Sequence, residues 1–421
     1  MSNAQFVRDI GEWLTDQALA SPDILSMFEG LCRRLHAGGV AVERARLTWP
    51  TLHPLFRAET MLWVRDEAVE FEQFNHQEEA SEAWKRSPMK YLFDNDVSVV
   101  RRRMTGPNAM FDFPVVEELA AEGFTDYLLI ATSFDDGRTG ISGEGLATTA
   151  TGEESQGILV TWATKREGGF SDDDLDALHR IQRRFAVACK IAVQDRIAIN
   201  ITRTYLGTDA GDRVRAGSIK LGDGRTTEAV VWYADMRDST ALADRLAPQD
   251  FLDLLNDYFQ AAAQPAIEAG GEILDFVGDA VVAIFPYDAH DESGRCRAVA
   301  AACRAMERAR QAGEEICRRR EKAGAEPFRF GLALTAGEVM FGNIGVPTRL
   351  AFSAIGPTLN LAARLEASTK GLGEPVVASA GFAADAPGAW RSLGTHALEG
   401  VSAPCELFAP EATGAKALAA A

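Results

Sequence analysis

The segment EAVVWYAD is a run of apolar residues that ends on an acid, Asp235. In GGEILDFVGDAVVAIFP a second acid, Asp279, sits in a Gly-Asp turn between two further apolar runs. Short apolar runs bounded by glycine read as strands buried in a sheet. The Gly278-Asp279 step closes the second and third runs into a hairpin. Once these strands lie in one sheet, both carboxylates stand at strand ends, side by side. A sheet that carries two acids at one edge needs counter-charge there, and this constrains both the fold and its chemistry.

The elements around these strands read β-α-β-β-α-β-β-α-β. PQDFLDLLNDYFQAAAQPAIEAG is a helix begun near Pro248 and ended by Gly270-Gly271. ESGRCRAVAAACRAMERARQAGEEICRRREKAG is a long helix, FRFGLALTAGEVMFGNIG and RLAFSAIG are strands, and PTLNLAARLEAST is a helix led by Pro357. On that last helix Asn360 and Arg364 are four residues apart and share one face.

Hard divalent cations take carboxylate and phosphate oxygens together, so Asp235 and Asp279 are candidate metal ligands. Each alone also reads as an ordinary helix cap or hairpin turn. Met236 to Thr240 lie between a strand and a helix, where free N–H groups can hold phosphate oxygens. Arg237, Asp238, Ser239 and Thr240 are therefore candidate phosphate-binding residues, and Ser239 and Thr240 are also N-cap candidates. Asn360 and Arg364 either form a solvated helix face or supply the donors that a reacting phosphate requires.

With these residues in this order, the stretch from about Ala229 to Phe408 resembles the catalytic domain of the class III adenylate/guanylate cyclases. The resemblance implies an α+β fold of the ferredoxin-like, split βαβ type. It implies two Mg²⁺ or Mn²⁺ ions per active site, held by Asp235 and Asp279 with a backbone carbonyl from Met236. It assigns Asn360 to the ribose and Arg364 to charge developing on the transferring phosphate. It also implies a homodimer, with the metal aspartates of one protomer facing the Asn/Arg pair of the other, acting on ATP with GTP as the alternative. A silent nucleotide-binding module of the same fold is the further alternative.

Two positions depart from the family pattern. Asp275 stands where adenylyl cyclases commonly carry lysine and guanylyl cyclases glutamate, and its partner in base recognition is Ser353. The hydroxyl is similar to a threonine variant seen in adenylyl cyclases, which tilts the reading to ATP. Glu399 stands where many relatives carry a lysine that contacts the triphosphate. Arg237, Arg349 and Lys370 are conceivable substitutes for it, each also readable as a surface charge.

A chain of 421 residues predicts more than one domain. Its net charge of -18 argues against general binding to nucleic acid or anionic lipid. The six cysteines are scattered without a C-x-x-C pair, so neither a zinc site nor a disulfide framework is indicated. No signal peptide or spanning segment is read, and a cytoplasmic protein is expected.

The division expected is a sensory or regulatory domain over 1–195, a helical and Gly-rich signalling linker over 196–226, the catalytic domain over 227–410 and a flexible tail over 411–421. The first domain is an α/β region that resembles a GAF-type sensor, taking an unknown small-molecule or protein signal. Strands are expected over Val42–Trp49 and Ala58–Arg65, a short helix in SEAWKRSPMKYLFDND ended near Pro88, and a helix stopped by Gly123. A loop is expected over 135–157. Trp49, His53 and Phe56 either line a ligand pocket or pack as core. Ser171 can cap a long helix whose Leu175, Leu178, Ile181, Phe185, Ala188 and Ala192 make a heptad-like seam. That seam packs either on its own domain or on a second copy, with dimer pairing favoured towards Arg196–Arg203.

Overall fold

In a computed structural model of the chain, the described residues are 3–20, 23–76, 81–95, 97–134 and 157–411. They form two compact units, Met1–Ile201 and Thr202–Ala421. The expected loop over 135–157 lies almost entirely, and the tail beyond 411 wholly, outside the described residues. Among the described residues no helix is long and apolar enough to cross a membrane.

The first unit begins with helices α1 (Asn3–Leu19) and α2 (Ile24–Ala37), followed by strands β1 (Arg44–Pro50), β2 (Phe56–Val64) and β3 (Glu70–Asn75). Then come α3 (Glu82–Lys85), α4 (Pro88–Asp94), β4 (Val99–Arg103), α5 (Pro114–Ala121), β5 (Asp126–Ser133), β6 (Gly157–Thr164) and the long α6 (Asp172–Leu206). The sheet runs β3-β2-β1-β6-β5-β4, antiparallel throughout. One face buries Leu47, Trp49, Trp162 and Ile130 against α1, α2 and α6. The other buries Leu129, Leu159 and Val100 against α4 and α5.

Several local expectations change here. The short helix α3 ends just before Pro88 as expected, but Pro88 also starts a second one: it occupies the first turn of α4, and the Ser87 side chain caps it by accepting from the Lys90 N–H. Proline tolerates that position because the first-turn N–H has no helical partner. The seam Leu178, Ile181, Phe185, Ala188 and Ala192 packs in the core of its own unit. Trp49 is core, while His53 and Phe56 stack on each other with centroids 4.8 Å apart. Ser171 does cap α6, as half of a reciprocal box: its Oγ accepts from the Asp174 N–H, and the Asp174 carboxylate accepts from the Ser171 N–H.

The second unit opens on α7 (Thr208–Arg215), a helix within the segment read as a Gly-rich linker. It carries the intrahelical pair Arg213–Asp209, and its Asp212 pairs with Arg203 of α6. Then follow β7 (Gly224–Met236), α8 (Ser239–Arg245), α9 (Pro248–Ala262), α10 (Gln264–Glu268), β8 (Glu272–Val277), β9 (Ala280–Tyr287) and α11 (Glu292–Lys322). The unit ends with β10 (Phe330–Val346), β11 (Arg349–Ile355), α12 (Pro357–Leu372), β12 (Val376–Ser379), α13 (Ala380–Ala383), β13 (Trp390–His396) and β14 (Cys405–Pro410).

The sheet order is β13-β14-β12-β10-β7-β9-β8, with β11 folded back on β10. The four strands at the β8 end, β10-β7-β9-β8, pair antiparallel. Helices cross over between β7 and β8 and again between β9 and β10, which is the split βαβ arrangement expected. Alternation along β7 sends Val230, Trp232, Ala234 and Met236 towards the core with α9–α11. The residues between them, with Ala229 and Val231 buried beside Ala362 of α12, take the opposite face. Asp235 is therefore on the α12 face of the sheet.

Candidate active site

Asp235 ends β7 directly opposite Ala280, the first residue of β9, so Asp279 in the preceding turn is its neighbour. The turn is tight, and Gly278 takes a positive φ of 66° that side-chain-bearing residues resist. The Asp235 carboxyl is pushed up to about 7, first by burial, then by the charges of Asp279 and Glu366 and a hydrogen bond shared with Asp279. Half-buried carboxylates held this close disfavour double ionisation. Oxygen donors short of positive charge suit a hard divalent cation. Among the described residues no group of three or more acids, histidines or cysteines is placed to hold a metal. Further ligands would have to be backbone, water or substrate oxygens.

Glu366 was not singled out from sequence. It is 5% exposed, on the buried stripe of α12 with Ala362, Leu365 and Thr369. Its carboxylate pairs with Arg237 at 3.3 Å, and Arg237 also donates to the Thr369 hydroxyl. Burial raises the Glu366 pKa, an effect that Arg237 and Thr369 oppose. Space for the cluster comes from Gly331, which faces Asp235 across the β7–β10 ladder. A Cβ there would stand 2.5 Å from Arg237 Nη2 and 2.7 Å from Thr369 Oγ1. An acid on an otherwise apolar helix stripe was the sequence signal for this cluster. Glu366→Ala leaves Arg237 enclosed without its partner and should cost about 3 kcal/mol. A melting curve unchanged from wild type would show that the pair carries no such weight.

The candidate phosphate segment is laid out as follows. Arg237 points inward to Glu366 and Thr369. Asp238 takes a left-handed φ of 58° and occupies the N-cap of α8 without a side-chain capping bond. Ser239 and Thr240 thus fall inside the first turn rather than at the cap. The Asp238 carboxylate binds Lys370 at 2.8 Å and Arg329 at 3.4 Å, and the Lys370 hydrogen bond holds its pKa below the usual carboxylate range. What this segment presents to an anion is therefore its first-turn N–H groups. Of the three conceivable substitute cations, Arg237 and Lys370 are engaged, and Arg349 in the β10–β11 turn makes no ion pair among the described residues.

Asn360 and Arg364 are both exposed on α12. Arg364 meets Glu399 at 3.6 Å, in a solvent-exposed pair worth at most about 1 kcal/mol. Arg364 and Glu366 are two residues apart, hence about 200° apart around the helix. Because Glu366 turns to the carboxylates of its own unit, Arg364 and Asn360 point away from them. Asp275 is exposed on β8 just past an irregularity in the β8–β9 register, and Ser353 lies on β11 opposite Gly342. Neither the Asp275 nor the Ser353 side chain has a hydrogen-bond partner among the described residues.

The second unit is similar to known proteins. Residues 223–379 match the family model described as the adenylate and guanylate cyclase catalytic domain. An adenylate cyclase of Anabaena cylindrica is 28% identical over 156 residues, covering 37% of this chain and 30% of its own length. Adenylate cyclase 1 of Rhizobium meliloti (strain 1021) is 27% identical over 183 residues, covering 43% of this chain and 27% of its own length. The chain thus spans less than a third of either relative. The crystal structure of the adenylyl cyclase CyaB from P. aeruginosa is 26% identical, with a TM-score of 0.39, and covers 44% of this chain and 94% of its own. Residues 223–379 of this chain belong to the adenylate and guanylate cyclase catalytic-domain family.

Proposed function

We propose that the chain is an adenylate cyclase, converting ATP to 3',5'-cyclic AMP and pyrophosphate as a homodimer under the control of its N-terminal unit. The ribose 3'-oxygen attacks the α-phosphorus, its proton is lost, and the bond to the β-phosphate oxygen breaks to release pyrophosphate. Asp235 and Asp279 would hold Mg²⁺ or Mn²⁺, two per site with the Met236 carbonyl assisting, and the metal would supply charge to the hydroxyl and the triphosphate. The first-turn N–H groups of Asp238, Ser239 and Thr240 receive phosphate oxygens. Asn360 orients the ribose, and Arg364 neutralises charge gathering on the transferring phosphate.

The observation that carries the reading is the opposed orientation of Glu366 and Arg364 on α12. One copy places its acids and its Asn/Arg pair in different directions, so a complete site needs two copies. Apolar surface is available for such pairing. Met340, Ile344, Val346, Leu350 and Ile355 are exposed on the β10–β11 hairpin. Val187, Ile191, Ile201 and Tyr205 are exposed along α6, spaced on one seam of period about seven.

ATP is preferred over GTP here because the relatives named above are adenylate cyclases. The test supplies ATP and GTP together to the full chain with Mg²⁺ or Mn²⁺. Cyclic AMP is expected, and Asp275→Lys should shift the ATP/GTP ratio if Asp275 reads the base. Cyclic GMP as the main product would make the chain a guanylate cyclase. Tight nucleotide binding without either product, in a folded dimer, would make it a silent binding module.

A further inference from the structure

The first unit contains a cavity of about 490 Å³ between its sheet and helices α3 and α4. It lies on the sheet face opposite Trp49. Alternation on β1 turns Ala45, Leu47 and Trp49 into the core with α1, α2 and α6, and turns Arg44, Arg46 and Thr48 into the cavity. The core on that second face is made by β4–β6 with α4 and α5, and the ground over β1 and β2 is left open. A sheet face covered by helices is ordinarily apolar, so two arginines and a threonine in succession there demand a reason.

Neither of the two β1 arginines is fully satisfied by the protein. Arg44 makes no hydrogen bond or ion pair among the described residues, and burial lowers its pKa, with Glu118 and Glu122 exerting only distant attraction. It remains a cation, because a guanidinium is not deprotonated in proteins. Arg46 reaches Glu72 at 2.5 Å through one terminal nitrogen, yet its Nε is buried with no partner. Arg57 and Arg86 also line the cavity, and Glu118 is the one acid among its described lining residues. Thr48 and Thr60 satisfy each other on its floor at 2.7 Å. Trp84, from the α3 side, supplies an aromatic wall. A half-buried guanidinium without a counter-ion carries a desolvation cost that a bound anion would offset. Side chains two apart on one strand face start about 7 Å apart, so both guanidinium groups can close on one small anion.

We propose that this cavity binds an organic anion, with its carboxylate or phosphate group held by Arg44 and Arg46 and a flat apolar body lying against Trp84. The volume suits a ligand of one or two fused rings. The inference does not depend on the catalytic reading of residues 223–379.

The full chain is titrated by calorimetry with three probes of one shape: naphthalene-2-carboxylate, 2-naphthyl phosphate and the neutral naphthalene-2-carboxamide. One binding event per chain is expected for at least one acid, with the amide weaker by about tenfold or more. The tighter of the two acids identifies the head group. Arg44→Gln with Arg46→Gln should weaken the acid by at least about tenfold while leaving the amide unchanged. Arg44→Lys keeps the charge without the fork and serves where the double variant fails to fold; a smaller loss is expected from it. No binding of either acid would overturn the proposal, as would equal binding of the amide or unchanged affinity in both variants.

Discussion

Asp235→Asn is expected to abolish cyclic-nucleotide formation and, with chelator present, to raise the melting temperature. The activity loss should be at least about 100-fold, the order seen when charge stabilisation is removed from a reacting phosphate or oxyanion. The gain in stability follows from the linkage. Folding raises the Asp235 carboxyl from 3.8 to about 7. The folded state therefore holds this proton more tightly than the unfolded one, and stability drains away as pH climbs from about 4 to 7. Above 7 the full electrostatic cost of two facing carboxylates is present. Asparagine removes it. The site is half-exposed and screened, so the gain is discounted to about 1–2 kcal/mol, or roughly 3–6 °C. Calorimetry in EDTA should show that gain at pH 8 and almost none near pH 4. A lower melting temperature for the variant at pH 8 would mean that Asp235 is a structural acid. Activity lost without any gain in stability would leave a metal role but deny the strain.

The second large effect concerns assembly. Asp235→Ala and Arg364→Ala are each expected to be inactive alone and to recover activity when mixed. α12 sends Glu366 to the acids of its own unit and Arg364 the other way. In a mixed dimer, one site receives both defects and the other receives neither. Random pairing makes half the dimers mixed, and each has one sound site, so about a quarter of wild-type activity should return. Measuring cyclic nucleotide against mixing ratio checks this, with a maximum expected at equal amounts. No recovery after subunit exchange has been shown by a tagged pull-down would place both residues in one protomer's site.

Much of the second unit was legible because its elements are strongly patterned. The apolar run before Asp235, the Gly-Asp turn at Asp279 and the Pro-led helix of Asn360 and Arg364 each announce themselves by period or by a breaker residue. Burial of charge was not legible. Arg237 reads as a phosphate ligand when only its neighbours in sequence are known. Its real partner, Glu366, is 129 positions further on, and only the β7–β10–α12 packing brings them together. In the first unit, β3 was missed because its EFEQFN sequence is an exposed edge with little apolar content. The helix that starts at Pro88 was not legible because proline both ends and begins helices, and the deciding residue, Ser87, is a weak signal by itself. The cavity over β1 was also missed. Attention fell on Trp49, His53 and Phe56, whereas the polar half of the β1 alternation, Arg44, Arg46 and Thr48, faces the open space.

The two-sided α12 also bears on inheritance. In the proposed dimer, a chain damaged at Arg364 alone still lends sound acids to a healthy partner, so a cell with both copies would keep half of the sites in each mixed dimer. A chain damaged at both Asp235 and Arg364 spoils both sites of any partner it joins. A helix that serves its own site on one side and its neighbour's on the other therefore makes a single defect recessive in character and the paired defect dominant.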